Sequence, residues 1–463
     1  MDCSQACRSP LMTAQNHECS RATQPTLSPA RRVHTANYEQ KIATIKNRAQ
    51  QIPDALSEPE LKLLERLVAL HRDISASYVP RKILIYTDIR RDPDDQNAFL
   101  ALILLEKLGF IQIMGVITTS PPTRHRARFA KALLEEHGLS WIPVAAGIDY
   151  KADDGREGQF DIINDYEFNI AAQDGPDLAA GILKETGDRK DITLLCIAPT
   201  FDVAETFRRY PRSYEGVERF ILQSGASLID GDLRRQVDTD GKVVSNYNAD
   251  GDNEIAVQDS TDFVFQYLQR HGTMDCIFLS KEAAAKAQIP GMLHYEQLRK
   301  INDRIHTTYN TTKELYKQQK ESLIELLADV VEGRRGLLTW RNFVEPRFFK
   351  GKETPEPRRE LGRQALEEHA ASLIPNIQTL VLYDAVAALC TVPPILDRWS
   401  YLTGNHQGGD GGQRAAFFEP SETYECSSKQ MKLILATHIP GNETRSIIVT
   451  LIKGAVLLGP EGV

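Results

Sequence analysis

No stretch of this 463-residue chain stays apolar for the twenty or so residues that cross a bilayer, so no helical membrane span is expected. Basic residues are in deficit. Lys and Arg number 55 against 63 Asp and Glu, and the net charge of −8 lacks the basic face that nucleic-acid binding calls for. The seven cysteines show no paired CxxC spacing, which leaves neither a zinc site nor a disulfide framework to build on. Cys196, Cys276 and Cys390 lie in apolar runs and read as buried thiols, whereas Cys3, Cys7 and Cys19 lie in a polar segment, as suits a reducing compartment. No internal repeat is visible. Residues 1–36 are poor in large apolar side chains and lack the h-region of an ordinary secretory signal. Such a composition cannot bury enough surface to fold, so this leader is expected to be disordered.

What is present is the makeup of a globular protein, 41% apolar and 25% charged. Its most informative stretch is Lys82–Leu105. Ile83–Tyr86 reads as a buried strand, and Ala98, Leu102 and Leu105 carry helical spacing. Between them stand Asp88, Asp92, Asp94 and Asp95. In open α/β sheets ligands bind beyond the carboxyl ends of the strands. Four carboxylates there repel one another, and a hard cation taking six to eight oxygen ligands relieves that repulsion. The plain rival is a solvated acidic turn in which Asp94 or Asp95 caps the helix.

Elsewhere strand and helix patterns alternate, predicting an α/β fold with a mostly parallel central sheet flanked by helices. A helical extension is expected over 37–77, with Ser57-Glu58-Pro59-Glu60 as its capping box, and the main domain over 78–463. Strands are expected at Ile111–Thr118, Trp141–Ala146, Ile192–Ala198, Val217–Leu222, Cys276–Leu279, Met431–Ala436 and Ser446–Ile452. Helices are expected at Arg124–His137 and Val203–Tyr210, with long charged helices over Tyr295–Glu332 forming a cap at the sheet edge. Asp149–Asp177 reads as an acidic, irregular loop over the site.

Four stretches in this order resemble the nucleoside hydrolase superfamily: Thr87-Asp88-Ile89-Arg90-Arg91-Asp92-Pro93-Asp94-Asp95, then Ala198–Glu205 (APTFDVAE), Asn246–Glu254 (NYNADGDNE) and Leu382–Leu389 (LYDAVAAL). The resemblance covers roughly residues 80–400. It is closer still to the nucleoside-hydrolase-like type III effectors of plant-pathogenic bacteria, the XopQ and HopQ group. That group's marks here are the TDxxxDPDD loop, Lys281-Glu282-Ala283-Ala284, the Trp-Arg-x-Phe stretch Trp340–Phe343, and Tyr383 before Asp384.

The resemblance implies a calcium ion held by Asp88, Asp95 and Asp384 with the carbonyl of Thr200, and no His or Cys ligand. It implies Asp88 as general base, with Asp88 or Asp92 in the first acidic position. Asp94 and Asn248 would bind ribose hydroxyls, supported by Asp252 or Asn246, and Tyr247 would stack on a base or ring. On residue type alone, Asp384 is equally a helix cap and Asn248 a turn former. Arg124, Arg126 and Arg128 either form a solvated face or receive a phosphate. Tyr383 stands where the family has the His that helps protonate the leaving base, and Asn246 replaces its Glu.

These departures suit either altered hydrolysis or binding without cutting. The expected activity is therefore a calcium-dependent N-ribosyl hydrolase acting on a nucleoside or nucleotide-like compound, a cytokinin riboside monophosphate or an ADP-ribose-type nucleotide, delivered into the host cell by type III secretion. The alternative is an impaired fold that sequesters an ADP-ribose-like nucleotide. A third expectation is a host regulatory protein engaged through a phosphorylated leader, on Arg21–Pro25 and Arg31–Thr35. The oligomeric state is left open.

Overall fold

The computed structural model describes residues 38–74, 78–90, 93–150, 168–185, 191–223, 260–261, 263–264, 267, 274–279, 284–305, 311–333, 339–350, 362–393, 423–426, 429–434 and 441–459. The chain opens with helices α1 (Tyr38–Gln51) and α2 (Glu58–Ile74). Then come β1 (Arg81–Thr87), α3 (Pro93–Lys107), β2 (Ile111–Thr118), α4 (Thr123–Glu136), β3 (Val144–Ala146), α5 (Gly175–Glu185), β4 (Ile192–Ile197), α6 (Phe201–Arg209), β5 (Val217–Gln223) and β6 (Asp275–Leu279). After them follow β7 (Gln288–Ile289), α7 (Leu293–Ile305), α8 (Thr311–Glu332), α9 (Arg363–Leu373), β8 (Leu380–Val381), α10 (Tyr383–Leu389), β9 (Thr423–Cys426), β10 (Lys429–Ile434) and α11 (Gly441–Leu458).

Eight strands form one sheet in the order β3-β2-β1-β4-β5-β6-β10-β9, all neighbours parallel except the β10–β9 pair at the edge. Connections run outward in opposite directions from β1 and β4, so the switch point of the sheet lies between those two strands. Both faces are covered, and side chains alternate between them. Ile83 and Ile85 enter the larger core with α3, α7, α8, α10 and α11, while Leu84 and Tyr86 enter the smaller one with α5 and α6. Helix α3 is buried nearly all round. Helix α11 lies against it at Gly454, where a Cβ would come within 2.7 Å of Leu104 Cδ2. Helices α7 and α8 pack on each other, and α8 on α9, giving the expected helical layer beside the sheet.

Most expectations for individual elements are met within a few residues. One is reversed. Ser446–Ile452, with its β-branched residues, lies inside α11 rather than in a strand. Ile447, Ile448, Leu451 and Ile452 are buried together with Thr450 and Lys453, so an enclosed helix carries no polar stripe to reveal its period. The strand expected from Trp141 begins only at Val144, and the loop expected up to Asp177 gives way to α5 at Gly175; residues 151–167 lie outside the described set. The leader, residues 1–36, lies outside it too. Cys196 and Cys390 are buried free thiols, Cys196 pushed up to about 12 chiefly by burial.

The first two helices and the last are locked by three buried cations and the half-buried Arg48. Glu60 closes the expected capping box, its Oε2 accepting the Ser57 amide at 2.6 Å, and pairs with Lys453 Nζ at 2.9 Å. Arg48 donates to the carbonyls of Leu457 (2.8 Å) and Leu458 (2.7 Å), and Lys107 to that of Gly459 (2.6 Å). Lys41 donates in turn to the Lys107 carbonyl at 2.7 Å. The carbonyls left unpaired at the end of α11 thus receive positive charge where the helix dipole favours it.

Candidate functional site

Strand β1 ends at Thr87 and releases the chain into a loop that turns back as α3. Arg90 in this loop has φ of 79° and Ser120, in the loop after β2, has φ of 64°. Both are non-glycine residues in the left-handed region, the kind of backbone strain that collects at functional sites. The Thr87 hydroxyl donates to Asp95 Oδ1 while its oxygen accepts the Ile89 amide at 3.1 Å. One side chain thereby ties the end of the strand to the start of the helix.

Asp94 and Asp95 occupy the first turn of α3, and Asp384 the first turn of α10. Helices α3 and α10 pack together, which brings one carboxylate oxygen from each of the three within 4.8 Å of the others. Asp95 and Asp384 are buried and Asp94 is half-buried. Three like charges converging in a largely enclosed space are costly without a counter-charge. All donors are carboxylate oxygens, with no imidazole or thiolate among them, which is the donor set of a hard divalent cation such as Ca²⁺. The residues therefore fit a metal, and helix N-termini alone do not account for acids drawn from two helices to one point.

Of the other expected site residues, Asp88, Thr200, Tyr383 and Arg124 are described. Asp88 is buried in the loop after β1 but lies outside the group of three, and its carbonyl accepts from Arg126. Thr200, buried at the end of β4 across the switch point, bonds through its hydroxyl to Thr261 at 2.9 Å. Its carbonyl accepts the Ala204 amide at 2.9 Å, which uses one of two lone pairs. Tyr383 is the first residue of α10, half-buried beside Asp384. Asp92, Asn246, Tyr247, Asn248 and Asp252 lie outside the described residues.

The arginines of α4 divide. Arg124 is exposed. Arg126 is buried and directs its guanidinium at backbone oxygens, Nε to Ser120 (2.8 Å) and Nη1 to Ile89 (2.9 Å) as well as Asp88. It pins the loops after β1 and β2 together, a structural duty in place of the phosphate contact expected for it.

Three further features stand out only in the structure, although Asp202 lies within the Ala198–Glu205 stretch. Asn97, one turn into α3, donates to the Pro93 carbonyl at 2.7 Å and to the Tyr295 hydroxyl at 3.1 Å, and its Oδ1 lies 3.3 Å from His294 Nε2. Helix α7 thus clamps the turn that carries Asp94 and Asp95. Burial, with Lys453 nearby, pushes the His294 imidazole down to about 3 and keeps it neutral. Its Nε2 therefore carries the proton donated to Asn97, whose two N–H groups are already engaged. Asn97 continues the polar start of α3 ahead of the apolar run Ala98–Leu105, so the sequence carries no distinct signal for it. The second feature is Asp202 at the start of α6, whose Oδ1 accepts the Ile148 amide at 2.8 Å. Burial pushes this carboxyl up to about 7. A Cβ on Gly147 would lie 2.4 Å from Asp202 Oδ2, so glycine is what leaves room for the acid. The third is Arg347, half-buried against aromatic rings that include Tyr383.

No family model matches the chain, and no curated protein matches it. Solved structures do. The type III effector protein XopQ, in complex with adenosine diphosphate ribose, superposes with a TM-score of 0.62 over 87% of this chain and 100% of its own, at 19% identity. The effector protein XOO4466 superposes with a TM-score of 0.56 over 85% of this chain and 99% of its own, at 18% identity. A purine-preferring ribonucleoside hydrolase from Gardnerella vaginalis gives a TM-score of 0.47 over 81% of this chain and 99% of its own, at 12% identity. At these identities the likeness is one of fold: the chain has the α/β architecture of the two effectors. No helix among the described residues is long and apolar enough to cross a membrane.

Proposed function

We propose that this protein is a calcium-dependent N-ribosyl hydrolase acting on a nucleoside or nucleotide-like ribosyl compound. The observation that carries the reading is the convergence of Asp94, Asp95 and Asp384 beyond the carboxyl ends of parallel strands. Asp88, Asp95 and Asp384 would hold the cation, with the carbonyl of Thr200 across the switch point. Calcium there would supply Lewis-acid activation of a water molecule. Asp88, buried in the loop after β1, would serve as the general base. Asp94 binds the ribose hydroxyls, with Asp92, Asn246, Asn248 and Asp252 as further sugar contacts and Tyr247 stacked on the base. The ring of carboxylates stabilises the positive charge that develops on the sugar as the glycosidic bond breaks. ADP-ribose-type nucleotides and cytokinin riboside monophosphates are the substrate classes; the fold shared with XopQ, solved in complex with adenosine diphosphate ribose, supports the former. The same likeness supports delivery into a host cell as an effector that suppresses plant immunity. A host regulatory protein reading the phosphorylated leader would be compatible with it.

A second reading is a binding module that sequesters an ADP-ribose-like nucleotide without cutting it. It is favoured by Tyr383, which supports an Arg347 cation on its ring where leaving-base protonation would require an acid. Base release decides between the two. Purified protein is incubated with ribonucleosides, their monophosphates, cytokinin ribotides and ADP-ribose, with calcium or with chelator. Free base or ribose phosphate formed only with calcium, and absent from Asp95→Ala, supports the hydrolase. Calcium-dependent retention of one ligand without turnover supports the module. Absence of both overturns the proposal.

A further inference from the structure

Two guanidinium groups with a structural duty end on backbone oxygen: Arg126 reaches three carbonyls and Arg48 two. Arg347 differs from these two. Its Cζ lies over three rings, 4.9 Å from the centroid of Phe343, 5.6 Å from Phe348 and 5.0 Å from Tyr383. Its Nε is buried without a hydrogen-bond partner among the described residues. The backbone around it is fixed: the Arg347 carbonyl accepts the Thr379 hydroxyl at 2.6 Å, and the Phe348 carbonyl accepts the Gln378 amide at 2.8 Å. Residues 378 and 379 lead through β8 directly to Tyr383 and Asp384. Phe343 is delivered by a π-helical turn, Trp340–Val344, an irregularity frequent at functional sites. The aromatic faces hold the guanidinium plane in place by cation–π contact.

We infer that Arg347 is an anion-binding group that receives a phosphate of the ligand, which makes the preferred ligand a nucleotide rather than a nucleoside. This rests on the reading of the three aspartates as the ribosyl site. Three carboxylates carry one more negative charge than a divalent cation offsets, so a phosphorylated ligand needs a positive partner at its other end. Arg124 is exposed and Arg126 is committed to the loop backbones, whereas Arg347 stands on the ring that precedes Asp384 with its Nε unused among the described residues. A guanidinium of fixed orientation matches the paired oxygens of a phosphate.

The test is calorimetric titration of the full chain with adenosine, ADP-ribose and inorganic pyrophosphate, each with calcium and with chelator, on wild type, Arg347→Met and Arg347→Lys. Methionine keeps much of the stem that packs on the rings, and lysine keeps the charge. ADP-ribose and pyrophosphate are expected to bind Arg347→Met roughly 10- to 100-fold more weakly than wild type. Adenosine affinity stays unchanged, and lysine recovers part of the loss. Equal ADP-ribose affinity in wild type and Arg347→Met overturns the inference. So does a fall in melting temperature with the ADP-ribose to adenosine ratio unaltered, or a wild type that binds adenosine with calcium but shows no gain from phosphate. The ribosyl-site reading fails separately: calcium then alters no affinity, while Arg347-dependent pyrophosphate binding in chelator persists.

Discussion

Two regions of this molecule bury charge, and they do so in opposite ways. In the clasp formed by α1, α2 and α11, cations meet oxygen: buried Lys453 has Glu60, half-buried Arg48 and buried Lys107 have the last carbonyls of α11, and buried Lys41 has the Lys107 carbonyl. At the ends of β1 and β4, by contrast, acid faces acid. Asp94, Asp95 and Asp384 share one small space, and Asp202 is buried deeply enough to hold its proton near neutrality. Matched buried charge serves the fold. Convergent buried acids cost stability, and such a cost is one that a binding site, rather than the fold, has reason to retain.

The comparison is broken most severely by Asp95→Ala. If the strand-end acids serve a ligand, this substitution removes calcium-dependent base release by about 1000-fold or more, on the order of 4 kcal/mol of transition-state stabilisation. Melting in chelator stays near the wild-type temperature, since the lost repulsion offsets the lost acceptor for the Thr87 hydroxyl. A cooperative unfolding transition shifted far downward would show the acids to be structural. The mirror experiment is Lys453→Met. It strands Glu60 in the interior and lowers stability by about 3–5 kcal/mol in urea titration. Adding Glu60→Gln, which keeps an acceptor for the Ser57 amide, restores most of it. If the single variant were neutral, the clasp would owe nothing to matched charge.

The third expected effect is a response to acid. Burial, reinforced by Lys107 beside His137 and Lys453 near His294, holds both imidazoles neutral and pushes each down to about 3. Unfolded histidine takes up its proton near 6.5, so below that pH the unfolded chain binds protons that the folded chain refuses. Stability is fully present above pH 6.5 and falls by about 1.4 kcal/mol per pH unit for each histidine until pH 3. His137→Gln, measured by urea titration from pH 7 to 4, should flatten that slope by one proton. An unchanged slope would mean that His137 titrates freely.

How much of this is legible in the sequence follows from the range of the interactions. The strand and helix around the aspartate loop are written locally in Ile83–Tyr86 and the residues of α3, and Ser57 and Glu60 announce their cap within four positions. Glu60 also meets Lys453, a contact across 393 residues that no local pattern encodes. The same burial hides the period of α11 and makes Ser446–Ile452 resemble a strand. At the candidate site, Asp94 and Asp95 are marked by the clustered acids of their loop, whereas Asp384, on residue type alone equally a helix cap, is marked only through the resemblance. Arg126 and Arg347 are not separable by residue type. Only the partners of their N–H groups distinguish a strut from an available donor.

The smallest effect sharpens the comparison where the two regions touch. Helix α7 carries His294, which lies near Lys453 of the clasp, and Tyr295, whose hydroxyl receives the Asn97 donor at 3.1 Å. Asn97 in turn holds the Pro93 carbonyl, one residue before the acidic pair. Tyr295→Phe deletes one hydrogen bond without changing the packing volume, at a cost of about 1 kcal/mol. If α7 merely fills space, melting temperature falls slightly and calcium affinity, titrated with the full chain, is untouched. If it sets the first turn of α3, calcium affinity falls about 3- to 10-fold while Asn97→Asp, which keeps an acceptor for His294 but loses the donor to Pro93, weakens it at least as far. The order of those two variants in calcium affinity, against their order in melting temperature, separates support of the site from support of the fold.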